Sequence, residues 1–184
     1  MTNPNIALLT TRILAKAKVT APPVPVGEIA HSLGAIVRFG PLPDDLSGFL
    51  VHEDGNSVIG VNTRHSKPRQ SFTIAHELGH FLLHPTSNFI DRKLIYFRNS
   101  RSSEATDMRE IQANEFAANL LMPIRFINDA TKNSTVDIED EQLIGELAAR
   151  FGVSSQALAF RLMNLHVANR PHTRRHRART TRPR

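Results

Sequence analysis

Within Ala75-His76-Glu77-Leu78-Gly79-His80, two histidines stand four residues apart, with a glutamate directly after the first. On a helix, residues at i and i+4 project from one face about one turn apart, so both imidazoles can reach a single ion. Glu77 points away from the line joining them and is poorly placed to bind that ion. It suits a position beside the open coordination site, where it can take a proton from the attacking water. The chemistry of this pattern is metal-assisted hydrolysis. A purely structural metal would leave Glu77 no task, because structural sites are closed by protein ligands.

Such a centre needs a third ligand, and the chain has no cysteine to provide one. Six residues after His80, where some HExxH enzymes carry another histidine, the chain has Thr86. His84 continues the row but lies two turns from His76, about 12 Å along the axis. A hydrogen bond near the helix end suits it better. Glu110 is the stronger candidate, with Asn114 one turn further along the same helix face. Glu110 completes a His-His-Glu set, and Asn114 can hydrogen-bond the outer nitrogen of a ligating histidine and fix its tautomer. Glu115 and Asp107 stand as alternatives to Glu110.

These side chains need two helices to carry them. Ile74, Leu78, Phe81 and Leu82 form one apolar stripe, which predicts a helix from Lys67 to Leu83. Ser66 suits its cap, Pro68 is tolerated in its first turn, and Pro85 enforces its end. A second helix is predicted from Glu104 to Leu121, stopped before Pro123, with Ala113, Ala117, Leu120 and Leu121 available to pack against the first. Around this pair lie helices at Asn5–Ala17 and Val26–Leu33, a strand at Ala35–Phe39 and a hairpin. The hairpin joins Leu46–His52 to Ser57–Asn62 through Glu53-Asp54-Gly55-Asn56, a sequence with strong turn chemistry. A further strand is possible at Leu94–Phe97, and a short helix follows at Ile124–Ala130. The fold class is α+β, with a small three-stranded, mainly antiparallel sheet packed on the two motif helices. An extended substrate can add to a sheet edge, and the hairpin is the expected supplier of that edge.

At this point the sequence resembles a known family. Phe72-Thr73-Ile74-Ala75-His76-Glu77-Leu78-Gly79-His80-Phe81-Leu82-Leu83-His84 is one signature, and Glu110-Ile111-Gln112-Ala113-Asn114-Glu115-Phe116-Ala117-Ala118-Asn119-Leu120-Leu121-Met122-Pro123 is the other. Together they are similar to the ImmA/IrrE metallopeptidases over roughly Val26 to Leu165. The resemblance implies zinc on His76, His80 and Glu110, with Glu77 as general base. It also implies a protein substrate, a helix-turn-helix repressor of the XRE type, cleaved or inactivated to release stress or transfer genes. Some relatives pair with such a regulator in toxin–antitoxin-like operons. A donor for the developing oxyanion is also required. Tyr96, the single tyrosine, lies between the two motif helices in sequence and is the candidate, with His65 and Arg69 behind it.

The remaining sequence bears on partners. Asp140–Arg150 and Ser154–Leu165 read as two helices turned at Gly152, similar to a helix-turn-helix. Few base-reading side chains are on offer there, chiefly Gln156, Arg161 and Asn164, so packing or partner docking is favoured over DNA reading. The net charge is +6. Seven arginines and no acid fall in His166–Arg184, while the body sets 16 basic against 17 acidic residues. The basic character therefore belongs to a tail too polar to fold, and any nucleic-acid contact it makes is weak and electrostatic. The division expected is a metallopeptidase domain over 1–136, a helix-turn-helix-like section over 137–165 and a disordered tail over 166–184. No membrane span or signal pattern is visible, so a cytoplasmic location is expected.

Overall fold

The computed structural model describes residues 3–53, 55–84, 89–91, 104–132 and 136–168. The order is α1 (Pro4–Lys16), α2 (Val26–Ser32), β1 (Ala35–Gly40), β2 (Gly48–Glu53), β3 (Asn56–Asn62), α3 (Lys67–Leu83), β4 (Phe89–Asp91), α4 (Glu104–Leu121), α5 (Ile124–Thr131), α6 (Glu141–Phe151) and α7 (Ser155–Ala168). The fold is α+β. Tyr96, the possible strand at Leu94–Phe97 and the arginine-rich tail beyond Ala168 lie outside the described residues.

The sheet differs from the expected three-stranded, mainly antiparallel one. It has four strands in the order β1-β3-β2-β4, with β1 parallel to β3 and the other two pairs antiparallel. The hairpin forms as its turn residues dictate, with Gly55 at φ +77. β1 then docks on the far side of β3, which makes that pair parallel. The crossing from β1 to β2 is held by buried Asn62. Its amide donates to the carbonyls of Leu42, Pro43 and Leu46, and its carbonyl accepts from the amides of Leu42 and Arg64. One side chain thus replaces the backbone pairing that the loop cannot make for itself. Across the hairpin, Phe49 pairs with Gly60 and its ring fills the space where a Cβ at Gly60 would stand.

The hairpin does not offer a free outer edge along its first half, because β4 pairs there with Gly48, Phe49 and Leu50. β1 and β4 are the two edges among the described strands. The hairpin as substrate-accepting edge is therefore corrected: the chain itself covers it over those residues.

α3 runs with the sheet on one side and α4 on the other. Ile74, Ala75 and Leu78 are buried in the contact, and α4 contributes Phe116, Ala117, Leu120 and Leu121. α1 packs on α4, burying Ile6, Thr10, Ile13 and Leu14. Ser66 stands in the N-cap position of α3, but its side chain makes no capping bond. The first turn relies instead on Pro68 and on the backbone bond from Gln70 to the Ser66 carbonyl.

α6 and α7 join at Gly152, which has φ +67, and the Ser154 hydroxyl accepts from the Ala157 amide to cap α7. Ile144, Ala148, Phe151, Val153, Leu158 and Leu162 belong to the same apolar core as α3 and α4. Arg161 is one of the three base-reading candidates on α7, with Gln156 and Asn164. It is 7% exposed, and it donates to the Met122 carbonyl at 3.1 Å and to Asn119 at 2.6 Å. It therefore caps the carbonyl end of α4 and is not available to a nucleic-acid groove. Among the described residues, no helix is long and apolar enough to cross a membrane.

Candidate metal centre

Each α3 side chain is set by helical phase. His76 and His80 share a face, while Ile74 and Leu78 turn into the core. The two histidines are each 1% exposed, and their Nε2 atoms lie 3.0 Å apart. From α4, Glu110 brings Oε2 to 3.2 Å from His76 Nε2 and Oε1 to 3.2 Å from His80 Nε2. Asn114, one turn on, has its Oδ1 3.0 Å from His76 Nδ1. With Nδ1–H donating to that oxygen, the lone pair of His76 lies on Nε2 and faces the cluster. The Phe72 ring stacks near His76, with 6.4 Å between ring centroids.

The three residues suit a divalent cation. Ligands about 2.0–2.1 Å from a tetrahedral ion sit roughly 3.3 Å from one another. The separations of 3.0 and 3.2 Å are close to that edge. Electrostatics agree in sign. Burial lowers the His80 pKa, with the charges of His76 and His84 acting in the same direction against the pull of Glu110. A neutral imidazole is the form that binds a metal. For Glu110, desolvation works to raise the pKa, but the hydrogen bonds and charges of His76 and His80 outweigh it and bring the carboxyl to about 2. It is ionised at neutral pH.

Glu77 is fully buried beside the cluster, on the helical turn between the two histidines. The other candidates lie elsewhere. Glu115 accepts from the Asn3 backbone amide, five residues along α4 from Glu110 and on another side of the helix. The side chain of Asp107 is outside the described part of α4. His84 ends α3, its ring 5.7 Å from that of His80, and hydrogen-bonds the Arg109 backbone. Arg69 stands in the first turn of α3, about 10 Å along the axis from His76, and donates to Ser47 at 2.8 Å. His65 precedes α3, its carbonyl accepting from Gln70. Neither Arg69 nor His65 joins the cluster.

One contributor went unnoticed in the sequence. Gly79 lies where α3 crosses α4 at Ala113. A glycine in the middle of a strongly helical pattern was the signal, since it opposes the helix it sits in.

The model of the IrrE N-terminal-like domain, Peptidase M78, matches residues 30–163. The chain belongs to this family. It is a metallopeptidase family, so a metal ion is implied, and His76, His80 and Glu110 form the group that could bind one. The IrrE-like chain is 29% identical over 129 residues to "Uncharacterized immunity region protein 2" of Bacillus phage phi105, covering 70% of this chain and 75% of that protein. It is 31% identical over 85 residues to Metallopeptidase ImmA of Bacillus subtilis strain 168, covering 46% of each. Among solved structures, a Mycobacterium tuberculosis transcriptional regulator superposes with a TM-score of 0.61 at 22% identity. That match covers 92% of this chain and 48% of the regulator, and it shows a shared fold. The chain thus spans about half the length of both ImmA and the regulator.

Proposed function

We propose that this protein is a zinc-dependent endopeptidase whose substrate is a partner protein, an XRE-type helix-turn-helix repressor. The observation that carries the reading is the convergence of two imidazole nitrogens and a bridging carboxylate at 3.0–3.2 Å, with the Glu77 carboxylate buried on the turn between the histidines. His76, His80 and Glu110 hold the ion in this reading. Bound there, zinc supplies Lewis acidity, which acidifies water and polarises a carbonyl. The imidazole and carboxylate set suits zinc as well as other first-row divalent ions, and the helical H-E-x-x-H spacing supports zinc among them.

The chain's own residues do the rest. Asn114 holds His76 in the tautomer that presents Nε2. Glu77 takes the proton of the attacking water on its carboxylate and delivers it to the leaving amine nitrogen. Its burial removes competing bulk water and strengthens each charge interaction nearby. Tyr96 is the proposed oxyanion donor. The repressor substrate rests on the resemblance to the ImmA/IrrE metallopeptidases, and the relative from a phage immunity region is in keeping with it. The location proposed is the cytoplasm, where such a repressor works.

A second reading is a metal-bound regulator, or a toxin–antitoxin component, that binds its repressor or DNA without cutting. The arginine-rich tail supports a weak, salt-sensitive nucleic-acid contact in that reading. The two are separated by incubating purified XRE-type repressor with the wild type and with Glu77→Gln, with zinc content measured in both. Cleavage by the wild type alone, at equal zinc content, supports the peptidase. Equal zinc with tight repressor binding and no cleavage by either favours the regulator.

A further inference from the structure

Gly79 is less favourable to a helix than alanine, yet it stands inside α3, packed closely against α4. A Cβ added there would lie 3.1 Å from Ala113 Cα, 3.3 Å from the Ala113 carbonyl oxygen and 3.2 Å from Phe116 Cδ1. All three distances are below ordinary van der Waals contact. Two of the three atoms are α4 backbone, so no change of rotamer clears them. The helix itself would have to move by a few tenths of an ångström.

The crossing point lies within three residues of each member of the proposed metal cluster along its own helix. On α3, Gly79 is flanked by His76 and His80, and on α4, Ala113 is flanked by Glu110 and Asn114. Any separation of the helices at Gly79 and Ala113 therefore draws Glu110 and Asn114 away from the histidines. The contacts at stake are the 3.2 Å approaches of both Glu110 oxygens and the 3.0 Å bond from His76 to Asn114. Packed interiors do not absorb such a shift gradually, because neighbouring side chains already interlock.

We infer that Gly79 is a positioning residue: its missing side chain sets the spacing of α3 and α4 that allows Glu110 to complete the cation site with His76 and His80. The inference rests on the metal-centre reading above. It goes further by assigning the affinity of the site to an interhelical distance rather than to the ligands alone. It also explains why a residue unfavourable to helices occupies a helix that is otherwise strongly encoded.

The test is zinc affinity by chelator competition on four full-length proteins: wild type, Gly79→Ala, Glu110→Ala and the double variant. Gly79→Ala is expected to weaken binding about tenfold, in the range seen for lost outer-sphere partners. In the Glu110→Ala background the same change is expected to cost less than in the wild type, because one of the two groups it displaces is gone and only the bond from His76 to Asn114 is left to lose. The thermal midpoint of the metal-free protein is read in parallel. Should Gly79→Ala not fold, Ala113→Ser enlarges the same crossing from α4 and is put through the same cycle. Wild-type affinity in Gly79→Ala overturns the inference. So does an equal loss in both backgrounds, which marks a general loosening of the fold. A wild type that binds no zinc fails the metal reading itself, a result distinct from both.

Discussion

Replacing Asn114 by leucine keeps its branched shape and removes the oxygen that His76 Nδ1 meets at 3.0 Å. Without that acceptor, His76 can place its proton on either nitrogen, and the ring loses the bond that holds its plane. Both effects withdraw the Nε2 lone pair from the cluster. Losing an outer-sphere partner of this kind weakens metal binding by about 10–100-fold, which is about 1.4–2.7 kcal/mol at 1.36 kcal/mol per decade. Asn114→Asp acts in the opposite direction, because a carboxylate is a stronger acceptor for the imidazole N–H. Zinc competition with a chromogenic chelator at neutral pH measures both. The expected order of affinity is Asn114→Asp at or above the wild type, and Asn114→Leu at least tenfold below. Leucine binding zinc as tightly as asparagine would refute the orienting role of Asn114.

Three further expectations follow from the packing and the charges. Arg161→Met removes the buried cap on the Met122 carbonyl and the bond to Asn119. It should destabilise by about 1.5–3 kcal/mol, read as a lower urea midpoint with an unchanged slope. Gly60→Ala puts a Cβ within 2.2 Å of the Phe49 ring. A cost of about 1–3 kcal/mol is expected, and a much smaller one in a Phe49→Ala background. The metal-free protein should lose stability on acidification in two windows. The His80 pKa is lowered in the folded state, so the unfolded chain binds that proton first and stability falls as pH drops below 6.5. The Glu110 carboxyl is depressed to about 2 from 4.5, so its contribution is present above pH 4.5 and is lost as pH falls towards 2. Denaturant titrations from pH 7 to pH 2 check the signs; stability that rises on going from pH 7 to pH 5 would contradict them.

What was legible in the sequence was local. The span of α3 was encoded in the stripe of Ile74, Leu78, Phe81 and Leu82, and the end of α4 in Pro123. Helical spacing paired His76 with His80 and Glu110 with Asn114, while the expectation that the two pairs meet came from the need for a third ligand and from the resemblance to the ImmA/IrrE metallopeptidases. What was not legible depended on contacts distant in the chain. The docking of β1 beside β3 is directed by Asn62 reaching back about 20 residues to the loop, and no periodicity announces that. β4, at three residues, is too short to carry an alternating pattern. Arg161 reads in the sequence as an available base-contacting side chain until the carbonyl end of α4 is seen beneath it. Gly79 passed unremarked in the sequence, and only the α4 backbone against it shows what its missing side chain allows.

The most direct measurement is zinc K-edge absorption on the protein reconstituted with one equivalent of zinc, for the wild type and Glu110→Ala. The expected wild-type spectrum shows only nitrogen and oxygen neighbours at about 2.0–2.1 Å, with outer-shell scattering from two imidazole rings. Glu110→Ala should keep both imidazoles and lose the carboxylate. A wild type that takes up no zinc, or whose bound zinc shows no imidazole scattering, would contradict a metal centre on His76, His80 and Glu110.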